Sequence, residues 1–402
     1  MRWVAAIRMA WGDPAACSAR RTGCSPLHRP AYWAGLVAIA FVLFSGCVAY
    51  QPPQFELNLE GRPKGSVSRE QADAVAQMLQ RLFGTPDEPR VPEGSGLDLE
   101  LLAMAAGPPT GDPQGSVRGL FRRHCATCHG ISGDGAGPTA LVLDPYPRDF
   151  RRGIFKYTST KAGIKPLKSD LRRTLIRGVP GTAMPSFAQL APRELDALVE
   201  YVKYLSIRGE TELYLFEQVV DEEIRLPLDK QMVLDEGVLP VARAWEAPEE
   251  HPQLRIVPGA RPPIDTPAQL AASIAKGRAL YASKEAQCVK CHGPNGDGKG
   301  EEQELYDDWN KPKRGVTPEQ TAELARRFKL PLQRLRPRDF RQGTFRGGIG
   351  PEGRDLYNRI YAGIKGTPMP GVGPNPGAEA VISPEDIWHI VDYVLSLSRR
   401  NP

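Results

Sequence analysis

Apolar residues recur at helical spacing in two matching stretches, Ala191–Leu205 (APRELDALVEYVKYL) and Ser383–Leu397 (SPEDIWHIVDYVLSL). Each has a proline at its first helical position, where the missing N–H costs nothing. A third helix is predicted over Ser68–Phe83, with Ser68 and Gln71 as a capping box and Gly84 as its stop. A capping-box start at Thr317-Pro318-Glu319-Gln320 predicts one more. Between them lie long stretches rich in turn residues, so loops and short helices are expected rather than a large sheet. One stretch departs from this pattern: Ala31–Tyr50 carries no charge at all, and arginines stand just before it. That order reads as an export signal or a membrane anchor.

The chain repeats itself. Cys125-Ala-Thr-Cys128-His129-Gly130 is followed by Gly133-Asp134-Gly135, and Cys288-Val-Lys-Cys291-His292-Gly293 by Gly296-Asp297-Gly298. P-R-D-F follows at Pro147–Phe150 and again at Pro337–Phe340, then G-x-F at Gly153/Phe155 and Gly343/Phe345. Asp170-Leu171 leads to Gly181-Thr-Ala-Met184-Pro, and Asp355-Leu356 to Gly366-Thr-Pro-Met369-Pro, with 14 residues from Asp to Met in both. The matching helices close each copy. The units are therefore 1–50 (signal or anchor), 51–114 (an N-terminal spacer with short helices), 115–207 (first copy), 208–270 (connector) and 271–402 (second copy, with an insertion at 301–335). The connector contains LYLFEQVV and is too long for a passive link. It either drapes over both copies or docks a partner.

Composition narrows the picture. With 40 Gly and 39 Pro in 402 residues, turn residues exceed the roughly 12% of ordinary globular chains. The net charge of +5 is concentrated at the start: five of 52 basic side chains, but one of 47 acidic ones, precede Cys47. The remainder is nearly balanced and calls for no nucleic-acid partner. Of the seven cysteines, four make up the two C-x-x-C pairs; a chain beginning at Cys47 has none left for a disulfide.

C-x-x-C-H is the attachment motif of c-type haem: Cys125 and Cys128, and Cys288 and Cys291, can reach the two vinyl groups of a porphyrin. The adjacent His129 and His292 then stand beneath the iron as axial ligands. Zinc would want four ligands, and a redox C-x-x-C would sit in a βαβ pattern; neither fits. Met184 and Met369, each in a Gly/Pro-rich turn just before a closing helix, are the expected sixth ligands, whereas Met78, Met104 and Met232 read as packing residues. His124 is expected to line the haem surface without ligating. Arg148 and Arg338 in P-R-D-F suit haem propionates, with a local Arg–Asp turn contact as the alternative.

These motifs resemble the class I cytochrome c fold, twice, over roughly residues 115–207 and 270–399. The resemblance implies a mainly α chain of two helical domains, each wrapped around one covalent haem, and so two haem c groups. It assigns the helices around Val117–Phe121 and Gly277–Tyr281 to the family's amino-terminal helix, and those ending at Leu205 and Leu397 to its carboxy-terminal helix. It also implies that the carbonyl of Pro138 receives the N–H of His129; the second copy has Glu301 at that offset. Leu43-Phe44-Ser45-Gly46-Cys47 resembles a bacterial lipobox, departing from it at Phe44, with Cys47 as the lipidation site. An uncleaved helix of about 20 residues is the other way to anchor the chain.

The expected function is electron transfer on the periplasmic side of the bacterial cytoplasmic membrane, anchored there by lipid or helix, between donor and acceptor proteins of respiratory or dehydrogenase complexes. No catalytic residue is expected. A dihaem peroxidase, which uses two such motifs, is the enzymatic alternative, and a haem sensor a third class.

Overall fold

In a computed structural model of the chain, the structure describes residues 50–60, 62, 64–109, 118–307, 317, 319, 329–375, 377 and 379–398. The expected anchor and Cys47, like Val117, lie outside the described residues; so does most of the 301–335 insertion, of whose helix start only Thr317 and Glu319 are described. Among the described residues the chain is mainly helical, with isolated bridges and no strands. No helix among them is long and apolar enough to cross a membrane.

α1 (Arg69–Phe83) has the expected reciprocal cap, Gln71 N–H to Ser68 Oγ at 3.1 Å and Ser68 N–H to Gln71 Oε1 at 2.9 Å. Its inner face (Val75, Leu79, Leu82, Phe83) is buried. With α2 (Leu99–Ala105) it enters the first core, so both helices pack on the first copy. α3 (Leu120–His124) and α4 (Ala126–His129) carry the first C-x-x-C-H motif, and α5 (Lys168–Arg177) begins at the D-L motif. There Asp170, fully buried, accepts from Ser159 N at 2.9 Å and Leu167 N at 3.2 Å, fixing the preceding loop.

α6 (Pro192–Phe216) runs well beyond the expected end at Leu205. Its extension is polar in sequence but buried: Arg208 bonds Glu212 one turn on at 2.9 Å, and the hydroxyls of Ser206 and Thr211 turn back onto carbonyls four residues earlier. These bonds within the helix, with Lys165 on Glu210 and Asn58 N–H on Glu212 from outside it, partner most of the buried polar groups and let the helix pass through the core. The connector that follows is largely helical as well. Two wide-turn stretches (217–221 and 233–238) and α7 (Leu239–Glu250) add Val219, Val233, Leu234, Val238 and Trp245 to the first core. After α7 the chain crosses to the second copy while bonded to both. Ile256 N–H donates to Ser159 O at 2.8 Å yet its side chain sits in the second core, and Trp388 donates to Gly259 O at 2.9 Å. The segment thus lies against both copies.

The second copy comprises α8 (Pro267–Tyr281), α9 (Val289–His292) with the second C-x-x-C-H motif, α10 (Arg354–Ala362) and α11 (Pro384–Ser398). α8 and α11 cross in tight contact at Gly277, where a side-chain carbon would lie 1.8 Å from the carbonyl oxygen of His389. His389 is held at this crossing, its Nδ1 2.7 Å from Ser273 Oγ.

Candidate functional site

In each copy the C-x-x-C-H segment is one short helical turn ended by a glycine at positive φ, Gly130 and Gly293. The glycine loop then wraps back: Gly135 N–H bonds His129 O at 2.9 Å and Gly137 N–H bonds Cys128 O at 3.0 Å. Gly298 and Gly300 repeat this on His292 and Cys291 at 2.9 and 3.1 Å. Glu301 in place of Pro138 therefore leaves the turn intact. The P-R-D-F phenylalanines stack on the histidines, Phe150 on His129 at 4.5 Å between ring centroids and Phe340 on His292 at 4.6 Å.

The orienting carbonyl is not the one the resemblance implied. His129 Nδ1 lies 3.0 Å from the carbonyl oxygen of Arg148, not that of Pro138. The P-R-D-F loop is brought under the ring by Phe150 N–H bonding Gly133 O at 2.8 Å, which sets the neighbouring Arg148 carbonyl against the imidazole. In the second copy the backbone of Arg338 approaches His292 in the same way. It falls short of hydrogen-bond geometry, and His292 Nδ1 is buried and unsatisfied. Burial pushes both imidazoles down to about 4, so each is neutral and keeps a lone pair for a metal.

The methionine loops match bond for bond. Val179 N–H to Met184 O and Ile364 N–H to Met369 O are both 3.1 Å. Thr182 Oγ1 bonds Val179 O at 2.8 Å and Thr367 Oγ1 bonds Ile364 O at 2.7 Å; the methionine N–H groups bond those hydroxyls at 3.2 Å in both copies. A threonine thus locks each turn that presents a thioether.

In the first copy these parts converge. Cys125, Cys128, His129 and Met184 line one solvent-open cleft. His124 is on its wall, and Phe150, Phe155, Leu171, Leu175, Leu198 and Val202 make most of it apolar. Burial pushes the Cys125 thiol up to about 12 and Cys288 up to about 11, so both are protonated thiols. Among the described residues no three His, Cys, Asp or Glu side chains cluster as a metal site, so zinc would lack its further ligands. A cleft with paired thiols, a neutral imidazole and a thioether on its walls fits a covalently held porphyrin.

Asp149 is taken by Arg151, two residues on, through paired bonds of 3.0 and 2.9 Å, and Asp339 by Arg341 at 2.8 and 2.8 Å. Arg148 lines the cleft; Arg338 bonds Thr344 O at 3.2 Å and comes within reach of Gly181 on the other copy's methionine loop. Lys156, Tyr157 and, from the second copy, Arg346 also line the first cleft. Their sequence signal was the residue after each G-x-F, Lys156 and Arg346, basic in both copies.

A family model described as cytochrome c matches residues 117–206 and 274–398. The chain belongs to the cytochrome c family. Its cytochrome c domains carry covalently bound haem c and serve haem electron transfer. No curated protein sequence matches this cytochrome. Among solved structures it is similar to a chain of a reducing HAO-like protein complex of Kuenenia stuttgartiensis, 25% identical, covering 69% of this chain and 93% of that one, with a TM-score of 0.46. The motifs that place it in the cytochrome c family recur in both matched regions, each with its Cys-Cys-His segment, P-R-D-F loop and Met-Pro turn.

Proposed function

We propose that the chain is a dihaem cytochrome c in which both irons have histidine and methionine as axial ligands, and that it relays electrons outside the cytoplasm without a catalytic site of its own. The observation that carries this reading is the first cleft, where the two cysteines, His129 and Met184 line one wall-to-wall slot, together with the matching bonds of both methionine loops. Cys125 and Cys128 would hold one haem with His129 and Met184; Cys288 and Cys291 would hold the other with His292 and Met369. A haem iron supplies one-electron chemistry, and a thioether ligand raises its potential relative to a second imidazole. The chain's own part is to keep each imidazole neutral, to aim it with the Arg148 carbonyl or under Phe340, and to fill the slot with apolar side chains that exclude water. Two filled axial positions favour outer-sphere transfer over binding of a substrate. The uncharged run ending near Cys47 and the arginines before it support export and anchoring at the periplasmic face by lipid or helix. Donor and acceptor are proteins.

The test is intact-mass haem counting together with the red absorption band of Met-ligated ferric haem. Two haems per chain, with Met184→Ala and Met369→Ala each removing about half of the band, are expected. One haem, or a band that persists in both variants, overturns the reading. Steady turnover of hydrogen peroxide by the reduced protein would instead favour the peroxidase class.

A further inference from the structure

The two copies meet along a polar seam beside the first cleft, and the seam is rich in cations. Lys156 pairs with Asp307 at 2.8 Å, Arg177 with Asp355 at 2.7 Å, and Arg359 donates to Gly348 O at 2.7 Å. Arg338 and Arg346 stand beside them, and Arg148 faces Asp307 and Tyr157. Burial, joined by the neighbouring cations, pushes Lys156 down to about 8 and depresses Arg148 and Arg338. Six positive side chains thus share this seam with Asp307 and Asp355, and buried cations of this kind ordinarily have anionic partners.

Arg346 is the informative member. It belongs to the second copy, on the loop after Phe345, yet it lines the first copy's cleft. Its Nε is buried with no hydrogen-bond partner. The loop is built for this approach: Gly347 at φ +81° packs on the ring of Tyr157, where a side-chain carbon would lie 2.4 Å from Cδ1, and Gly348 also has a positive φ. Only a residue without Cβ lets the backbone come so close. The equivalent first-copy residue, Lys156, reaches the same cleft but is already matched by Asp307. An anion in the cleft beside Arg346 would satisfy the orphaned nitrogen and balance the seam.

We propose that Arg346 is a positioning residue acting across the copies: its guanidinium pairs with a carboxylate of the haem in the first cleft, so the second copy sets that haem's reduction potential. The proposal rests on the reading that Cys125, Cys128 and His129 hold a haem. Guanidinium forks pair with carboxylates through two parallel bonds. Reduction adds one electron to the site, so a cation held there favours the reduced haem, and its removal lowers the potential.

The test is spectroelectrochemical titration of the intact protein as Arg346→Gln and Arg346→Lys. The first haem is identified as the step that moves in Met184→His, and its presence on Cys125 and Cys128 is established separately by peptide mass. Arg346→Gln is expected to lower the reduction equilibrium constant of the first haem about tenfold, or about 59 mV for one electron, with a smaller change at the second. Arg346→Lys, which keeps the charge, should recover most of it. An unchanged first step, equal shifts at both haems, or a lysine variant as low as the glutamine one overturns the proposal. Absence of haem from Cys125 and Cys128 overturns the underlying reading instead, and the proposal with it. Arg346→Gln keeps the loop's two glycines, so folding is checked by the retained Met184 band.

Discussion

The crossing of α8 over α11 gives a sharp quantitative test, because a single missing atom permits it. In Gly277→Ala the added carbon would lie 1.8 Å from His389 O and 2.4 Å from its carbonyl carbon, whereas ordinary contact begins at 3.4 Å. The obstacle is backbone, so no rotamer relieves it, and the helices must part by roughly 1.5 Å at that point. Gaps of 0.5–1 Å already forfeit a quarter to a half of each dispersion contact. The side chains around the crossing include Ile390 and Tyr393, both nearly fully buried. Overpacking of this kind costs about 1–3 kcal/mol and sometimes more, and a backbone clash belongs at or above the upper end. Alanine regains about 1 kcal/mol of helix propensity. The net loss is about 2–3 kcal/mol, and at roughly 2–4 °C per kcal/mol the melting temperature should fall by about 4–12 °C. The assay is thermal unfolding of the haem-loaded protein followed by far-ultraviolet circular dichroism, with the first haem's methionine band as an internal control. A variant as stable as the parent, or more stable, would refute the close-approach argument, since propensity alone predicts stabilisation.

Further outcomes follow from the same structure. Asp149→Ala leaves Arg151, 1% exposed, with its nearest partner removed; breaking a buried pair in this way costs about 3–5 kcal/mol, measured by chemical denaturation, whereas Asp339→Ala beside the exposed Arg341 should leave the midpoint nearly unchanged. Lys365, buried where it donates to Thr160 Oγ1 at 2.9 Å, is pushed by desolvation down to about 7. The unfolded chain therefore binds the extra proton between about pH 7 and the usual lysine range, so this residue makes stability rise with pH there. The slope is at most about 1.4 kcal/mol per unit. Lys365→Met should flatten that rise in denaturation curves taken from pH 6 to 10, and an unaltered slope would assign the rise to other groups. Replacing Cys288 and Cys291 together by serine should leave one haem by mass and preserve the Met184 band; loss of both haems would show that the copies cannot be loaded separately.

Much of the site was legible because the chemistry dictates short, contiguous words: two cysteines and a histidine on one turn, a threonine-locked Met-Pro loop, a proline-started closing helix. What was not legible depends on partners far along the chain. Ser206–Glu212 is polar, yet Arg208 pairs with Glu212 inside α6 and Asn58 N–H bonds Glu212 from far along the chain, so the helix continues to Phe216. The carbonyl serving His129 belongs to Arg148 because Phe150 anchors its loop on Gly133, a long-range bond with no local signature. The spacer role expected for residues 51–114 overlooked that the apolar face of α1 had no neighbour in its own segment and had to find one in the first copy. Arg346 could be seen only as a basic residue repeated after G-x-F; its place in the other copy's cleft came from tertiary packing.

The chain leaving α7 bonds Ser159 in one copy and Trp388 in the next, while Arg177–Asp355 and Lys365–Thr160 bond the copies directly. A joint held at several points resists swinging. The two Cys-Cys-His sites therefore keep one spacing, and an electron passing between haems held there would wait on tunnelling rather than on diffusion of tethered beads. Thickening the solvent with glycerol should leave that internal step untouched while slowing every encounter with an outside partner.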